Sequence, residues 1–322
     1  MLSPRFLLWS FLTSVMMMGA GMAAGQEYPS KLIRIVTGEA GGGSDLAARL
    51  IAQGLTVNLS QQVIVENRPG AGGVIAAQAV AKSPPDGYTL LSYSNVIWLA
   101  PLFGEVPYDP VRDFSAVSLA VSAPNFIVVH PTLPAKSIRE LIALAKAKPG
   151  ALNYASGSAG GAQHLAGELF KTMAGINMVR ISYKGGVSAV NSLIVGEVQV
   201  GFASSASVAA HVKSGRLRAL AVTSARTSAL VPDLPTVAAS GLPGYEMTAK
   251  NGIFAPTGTP AAMVNRLSQN IARIVNRADV RGKLLISGGE PVGSSPEEFA
   301  ATIRSEIARV SKLIKDAGIH AE

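Results

Sequence analysis

The chain has 322 residues, of which 48% are hydrophobic and 15% charged, so it can form a sizeable core and does not have the composition of a disordered chain. It contains no cysteine, which excludes disulfides, zinc–thiolate sites and a cysteine nucleophile. The formal net charge of +8 suits an anionic ligand, but the basic residues are scattered without interleaved aromatics, so nucleic-acid binding is not expected.

The first 25 residues have the pattern of a secretory signal peptide. Arg5 supplies a positive charge, residues 6–18 are almost entirely apolar, and residues 20–25 are mostly small. An apolar region of about 13 residues is shorter than the roughly 20 that span a bilayer. We therefore expect cleavage after Ala24 or Gly25; a single membrane anchor is the alternative interpretation.

After this leader, short apolar runs alternate with amphipathic segments. In the first unit the predicted strands are 32–37, 63–66 and 88–93, and the predicted helices are 44–59 and 74–82. In the second unit the predicted helices are 137–148, 162–174, 187–195 and 206–214, and the predicted strands are 152–155, 178–183, 198–202 and 217–223. Such alternation predicts parallel sheets covered by helices.

A third stretch begins near Tyr245. Residues 246–255 are predicted to be extended, and Thr259 is predicted to cap a helix that has Pro260 at its first position. The final helix is predicted to begin with a capping box at Ser295 and Glu298.

Ser137 and Glu140 form another predicted capping box, at the start of the first helix of the second unit. The final helix carries an apolar stripe that indicates core packing, made of Phe299, Ile303, Ile307, Val310 and Ile314.

Two extended segments, near residues 120–130 and 246–256, connect these units and lack the composition of flexible linkers. Two strand-like crossings of this kind would form a hinge between two α/β lobes. We expect lobe 1 to comprise residues 26–125 and 251–322, and lobe 2 to comprise residues 126–250.

The loops that follow the predicted strands are rich in small residues, and each opens a predicted helix. They span residues 38–45, 68–73, 156–161, 184–186 and 204–205. Ligands bind beyond the carboxyl ends of parallel strands, glycine lets backbone amides approach them, and helix N-termini present free N–H groups to anions. One helix terminus contributes about 0.3–1 kcal/mol, whereas micromolar affinity needs about 8 kcal/mol. Several loops must therefore act together; the alternative is that these glycines only make tight turns.

Other chemical motifs are missing from the sequence. It contains no dinucleotide-binding glycine motif, P-loop or nucleophile elbow, and its four histidines lack metal-ligand spacing, so no cofactor or metal is expected. His164, early in its helix, either lines the cleft or makes a structural hydrogen bond. Glu39 and Asp45 could pair, although Asp45 is better placed to stabilise its own helix start. A hydrolase that uses Ser156 or Ser158 is the enzymatic alternative, but no base partner is recognisable.

A series of motifs, in order along the chain, carries a family resemblance. They are residues 28–31 (YPSK), 66–73 (ENRPGAGG), 86–91 (DGYTLL), 107–110 (PYDP), 164–168 (HLAGE), 183–186 (YKGG), 217–223 (LRALAVT) and 242–245 (LPGY). In these motifs the chain resembles the Bug-type substrate-binding proteins of tripartite tricarboxylate transporters.

This resemblance implies a type II-like periplasmic-binding-protein fold, in which two α/β lobes are joined by two crossing strands. It implies a monomeric, non-enzymatic periplasmic protein that needs no cofactor, captures a small carboxylate or related organic solute, and delivers it to integral membrane transporter subunits. Delivery of the ligand to a membrane sensor instead of a permease is the alternative.

The resemblance also implies which residues bind the ligand. By position they are Ala40, Gly41, Gly42, Gly43, Ser44, Ser156, Gly157, Ser158, Gly160 and Gly186, with Ser94 and Asn251 as further candidates. His164 and Ser204 join them because each lies beside a strand-to-helix loop. Two departures bear on specificity: Glu39 stands in the first loop, and no aspartate follows the strand that ends at Phe202.

Overall fold

The computed structural model describes residues 28–157, 161–183 and 186–318. The predicted signal peptide and the candidate residues Ser158 and Gly160 lie outside these ranges. None of the helices in the described ranges is long and apolar enough to cross a membrane.

Strands and helices alternate along most of the chain. The strands are β1 Ile33–Thr37, β2 Val63–Asn67, β3 Thr89–Ser94, β4 Phe114–Val129, β5 Asn153–Ser156, β6 Val179–Ser182, β7 Val200–Ser204, β8 Arg218–Val222, β9 Thr248–Pro256 and β10 Glu290–Pro291. The helices are α1 Gly43–Leu59, α2 Val74–Ala81, α3 Val96–Leu99, α4 Ile138–Ala147, α5 Ala162–Ala174, α6 Gly186–Ile194, α7 Ser205–Lys213, α8 Ala261–Val275, α9 Ala278–Ile286 and α10 Pro296–Ala317.

These strands form a ten-stranded mixed sheet in the order β2-β1-β3-β9-β4-β7-β5-β6, with β8 and β10 also paired to β4. The long strand β4 joins the two parts: residues 114–124 pair with β9, and residues 125–129 pair with β7 and β8. Beside this crossing, Met247 N donates to Thr223 O at 2.9 Å, where the chain returns from β8 towards β9. The predicted α/β architecture with two crossing strands is confirmed, whereas the exact lobe boundaries stay a prediction.

Alternating side chains of the first half of the sheet pack on two different cores. In β9, Ile253 is buried against α1 and α8 in a cluster with Leu55 and Ile271. Its neighbour Phe254 faces the other way and packs on Trp98 and Phe299. Phe299, Ile303 and Val310 of α10 are buried, as the apolar stripe predicted.

The helix starts show which local sequence predictions hold. At α10 the capping box is complete, since Ser295 Oγ accepts from Glu298 N and Glu298 Oε2 accepts from Ser295 N. At α4, Ser137 Oγ caps Glu140 N, but the Glu140 carboxylate accepts from the preceding Lys136 N, so only half of the predicted box forms.

The predicted start of α8 is wrong by one residue. Thr259 Oγ1 donates to Pro256 O at 2.7 Å, so its hydroxyl closes the preceding turn and does not cap the helix. Pro260 is the N-cap and the helix begins at Ala261. Helices α3 and α9 and strand β10 have no counterpart among the sequence predictions.

Candidate functional site

The first glycine-rich loop delivers the start of α1 to the carboxyl end of β1. Gly42 is the N-cap of this 17-residue helix and has no side chain to occupy its amides. The first intrahelical bond runs from Leu46 N to Gly42 O, so the amides of Gly43 and Ser44 precede it. Gly41 has a φ of 82°, a conformation that favours glycine. This loop therefore presents backbone donors suited to an anion.

Asp45 holds this loop in place. Its carboxylate accepts hydrogen bonds from Gly41 N at 2.9 Å, Arg49 Nε at 2.9 Å and Asn67 Nδ2 at 2.8 Å. Burial by itself would raise the pKa of Asp45, but the hydrogen bonds from Arg49, Asn67 and Gly41 outweigh it and lower the pKa to about 2. Asp45 is therefore an ionised structural group at the helix start, as its position in the sequence indicated.

Ser44 and Asn251 are brought together although 207 residues separate them. Asn251 Nδ2 donates to Ser44 Oγ at 2.7 Å, and Ser92 Oγ donates to Asn251 Oδ1 at 3.3 Å. Ser94 stands opposite Asn251 in the pairing of β3 with β9. Because Ser44 Oγ accepts the amide proton, the hydroxyl proton of Ser44 remains available to a ligand.

Two cavities share Gly43, Ser44 and Ser94. The first, which we call the chamber, has a volume of about 270 Å³ and is lined by Gly43, Ser44, Ala47, Ser94, Val121, Ala123, Ala249, Lys250, Asn251, Leu284, Ser287 and Gly289. The second measures about 430 Å³ and is lined by Gly38, Glu39, Gly42, Gly43, Ser44, Gly70, Ala71, Gly72, Tyr93, Ser94 and Val96. Each of the predicted residues Gly42, Gly43, Ser44, Ser94 and Asn251 therefore lines at least one of these two neighbouring cavities.

Tyr93, which lines the second cavity, explains one glycine in each of the first two loops. A Cβ at Gly38 would lie 2.7 Å from the Tyr93 hydroxyl oxygen, and one at Gly73 would lie 2.3 Å from Tyr93 Cζ. Only glycine lets the first two loops close on this ring. Burial raises the pKa of Tyr93, with a further contribution from the charge of Glu39, so its hydroxyl stays a hydrogen-bond donor at neutral pH. The sequence analysis missed Tyr93, although it ends a predicted strand between two glycine loops.

On the second unit, Ser156 is fully buried and does not present a free hydroxyl. Arg180 Nε donates to Ser156 Oγ at 2.8 Å, and Arg180 Nη2 donates to Gly157 O at 3.1 Å. Gln163 Oε1 accepts from Gly157 N at 3.1 Å, and its amide lies beside Gly186 at the start of α6. Arg180 and Gln163, both missed by the sequence analysis, therefore hold the loop that opens this unit.

The remaining predicted residues are placed as follows. His164 is 5% exposed within the first turn of α5, and Ser204 Oγ donates to Ser207 Oγ at 2.9 Å. Neither these residues nor Ala40, Gly41, Ser156, Gly157 and Gly186 line the two cavities in the described part of the chain. Their participation in binding stays a prediction.

In residues 28–157, 161–183 and 186–318, no group of three or more histidine or acidic side chains is arranged to hold a metal ion.

Comparison with known proteins gives concordant matches. Residues 47–319 match the family described as the tripartite tricarboxylate transporter family receptor. Protein BugT of Bordetella pertussis is 36% identical over 306 residues, which cover 93% of this chain and 94% of that protein. An R. palustris protein solved with adipate has 35% identity and a TM-score of 0.75, covering 91% of this chain and 99% of its own. MatC from Rhodopseudomonas palustris, solved with bound malate, has 28% identity and a TM-score of 0.70, covering 89% of this chain and 100% of its own.

Proposed function

Because the chain belongs to the tripartite tricarboxylate transporter receptor family, we propose that it is a periplasmic solute-binding protein that captures a small carboxylate and delivers it to integral membrane transporter subunits. It acts as a monomer, without a catalytic step or cofactor. Adipate and malate, the ligands of two structural neighbours, are both small carboxylates.

The observation that carries this proposal is the donor set at the start of α1. The amides of Gly43 and Ser44, the hydroxyl of Ser44 and the hydroxyl of Ser94 border a cavity, and Asn251 fixes the orientation of Ser44. A carboxylate that accepts two or three such hydrogen bonds needs no paired cation to stay ionised. We call this donor set the carboxylate anchor.

The second unit supplies the opposing side of the site. In this proposal the loop that follows β5 and the helix start at Gly186 close over the bound ligand, and Ser158, Gly160, His164 and Ser204 remain candidate ligand contacts. The hinge lies where the two crossings run side by side, near Asn125 of β4 and Met247 before β9. The lobes are residues 26–125 with 251–322, and 126–250. Closure adds donors from the second lobe and excludes water, which raises affinity above what one helix terminus provides.

Two experiments test the proposal. Native mass spectrometry of protein purified from the periplasm should detect a bound small organic acid. Titration calorimetry with that acid should show a loss of affinity of about ten-fold or more for Ser44→Ala, because a charge-assisted hydrogen bond contributes about 1.5–3 kcal/mol. Ser305→Ala, on the exposed face of α10, is the matched control and should bind normally. Equal affinity of both variants would refute the anchor.

Delivery to a transporter requires a test in cells. Deletion of the gene should abolish uptake of the identified acid. Normal uptake combined with lost gene induction by the same acid would point to a sensory role instead.

A further inference from the structure

The walls of the chamber differ from those of the second cavity, and the difference restricts which carboxylate fits. We propose that the chamber holds the uncharged, apolar body of a monocarboxylate, and that the protein discriminates against ligands with further carboxylates. This inference rests on the proposed function, because it takes the carboxylate anchor as given.

One face of three neighbouring strands forms the floor of the chamber. Ser94 of β3, Asn251 of β9 and Val121 of β4 stand opposite one another in register, and two residues along β9 Ala249 stands opposite Ala123. Alternate residues of a strand point to the same face, so these side chains share it. The floor is therefore polar beside the carboxylate anchor and apolar beyond it.

Two helices close the chamber with further uncharged groups. Ala47 lies in the second turn of α1, and Leu284, which is 2% exposed, lies in α9. Ser287 and Gly289 follow α9 and complete the lining. Beyond the anchor, a ligand would therefore meet mainly methyl and methylene groups, which favour an apolar body over a hydrated one.

The chamber offers no free counter-charge in the part of its lining that the structure describes. Lys250 is the sole described lining residue with an ionisable side chain, and it lies between two residues that face the chamber, so its side chain points to the other side of β9. There its Nζ lies 3.1 Å from Glu246 Oε1 and 3.6 Å from Glu306 Oε1. Two carboxylates already compensate this ammonium group.

Size and charge together define the ligand class. An apolar cavity of about 150 Å³ holds benzene, so about 270 Å³ accommodates a six-carbon chain or ring. A second carboxylate in the chamber would lose its hydration without gaining a cation, which is strongly unfavourable. In the second cavity the exposed Glu39 would repel it. A further carboxylate on the ligand therefore reduces its affinity whether that group lies in the chamber or in the second cavity.

The test is a series of acids that share six carbons and differ in the number of carboxylates: hexanoate, adipate and tricarballylate. Titration calorimetry of the mature protein after exhaustive dialysis should show the highest affinity for hexanoate, with a loss of about ten-fold or more for each added carboxylate. Adipate or tricarballylate binding as tightly as hexanoate would overturn the inference and leave the proposed function intact. No binding of small carboxylates of any kind would overturn both.

Two variants of Ser287 test the effect of charge in the chamber separately from the shape of the ligand. Ser287 is exposed at the chamber wall, so Ser287→Arg can add a cation there without disturbing the core. This variant should raise the affinity for adipate relative to hexanoate by about ten-fold. Ser287→Gln, which adds length without charge, should leave that ratio unchanged. An equal ratio in the two variants would contradict the account of the chamber.

Discussion

Replacing Asp45 by asparagine should destabilise the protein and make its stability less sensitive to acid. The buried carboxylate accepts three hydrogen bonds that position the first glycine loop. A pKa lowered from 3.8 to about 2 corresponds to about 2 kcal/mol. Because Arg49, one of the three donors, is half exposed, solvent screening reduces the expected loss for Asp45→Asn at pH 7 to about 1–2 kcal/mol.

The sign of the pH dependence follows from the same shift. The folded state keeps Asp45 ionised to lower pH than the unfolded chain does. The contribution of Asp45 to the free energy of unfolding is therefore present above pH 4 and is lost as the pH falls towards 2. Urea unfolding of the wild-type protein and of Asp45→Asn should therefore give free energies that converge between pH 4 and pH 2. The exposed Glu105 provides the control, since Glu105→Gln should behave as wild type.

If the free energies of unfolding of the wild-type protein and of Asp45→Asn differ by the same amount from pH 7 to pH 2, the role assigned to the Asp45 carboxylate is wrong. The same variant also tests the coupling of the loop to the site. Since Asp45 holds the amide of Gly41, Asp45→Asn should weaken carboxylate binding several-fold at pH 7, where the folded state persists.

Three further predictions concern other contacts. Glu306→Gln removes a buried partner of Lys250 and should lower the free energy of unfolding by about 3 kcal/mol in urea titrations; a loss below 1 kcal/mol would show that Glu246 alone suffices. Gly73→Ala adds a Cβ 2.3 Å from Tyr93 Cζ at a φ of 99°, and should cost about 2–4 kcal/mol by the same assay. Glu290→Gln weakens the contacts that its carboxylate makes with the turn after β8, so amide hydrogen exchange at residues 228–231 should accelerate while the core strands are unchanged.

The sequence predicted the elements whose signals are local. Helix α1 and strands β1 and β3 lie within one residue of their predicted bounds, because apolar periodicity and glycine-rich ends define them. The capping box at Ser295 is likewise contained in four consecutive residues. Part of the site could also be predicted from the sequence, since loops that follow parallel strands meet at one edge of the sheet.

The rest of the site depends on pairings that no local pattern specifies. Strand β10 has two residues and exists through its pairing with β4. Helix α9 contains Gly282 and only a weak apolar pattern, so no local signal placed Leu284 in a cavity wall. The faces of β4 and β9 follow from their register, which includes shifts near Val121. The apolar side of the chamber could therefore not be predicted from the sequence and is visible only in the folded structure.

A crystal structure of the protein with its tightest-binding carboxylate would show whether the carboxylate anchor holds the ligand. In that structure we expect ligand carboxylate oxygens at about 3 Å from the Ser44 hydroxyl and from the amides at the start of α1, with the body of the ligand in the chamber. A carboxylate bound elsewhere, with these donors facing solvent, would contradict it.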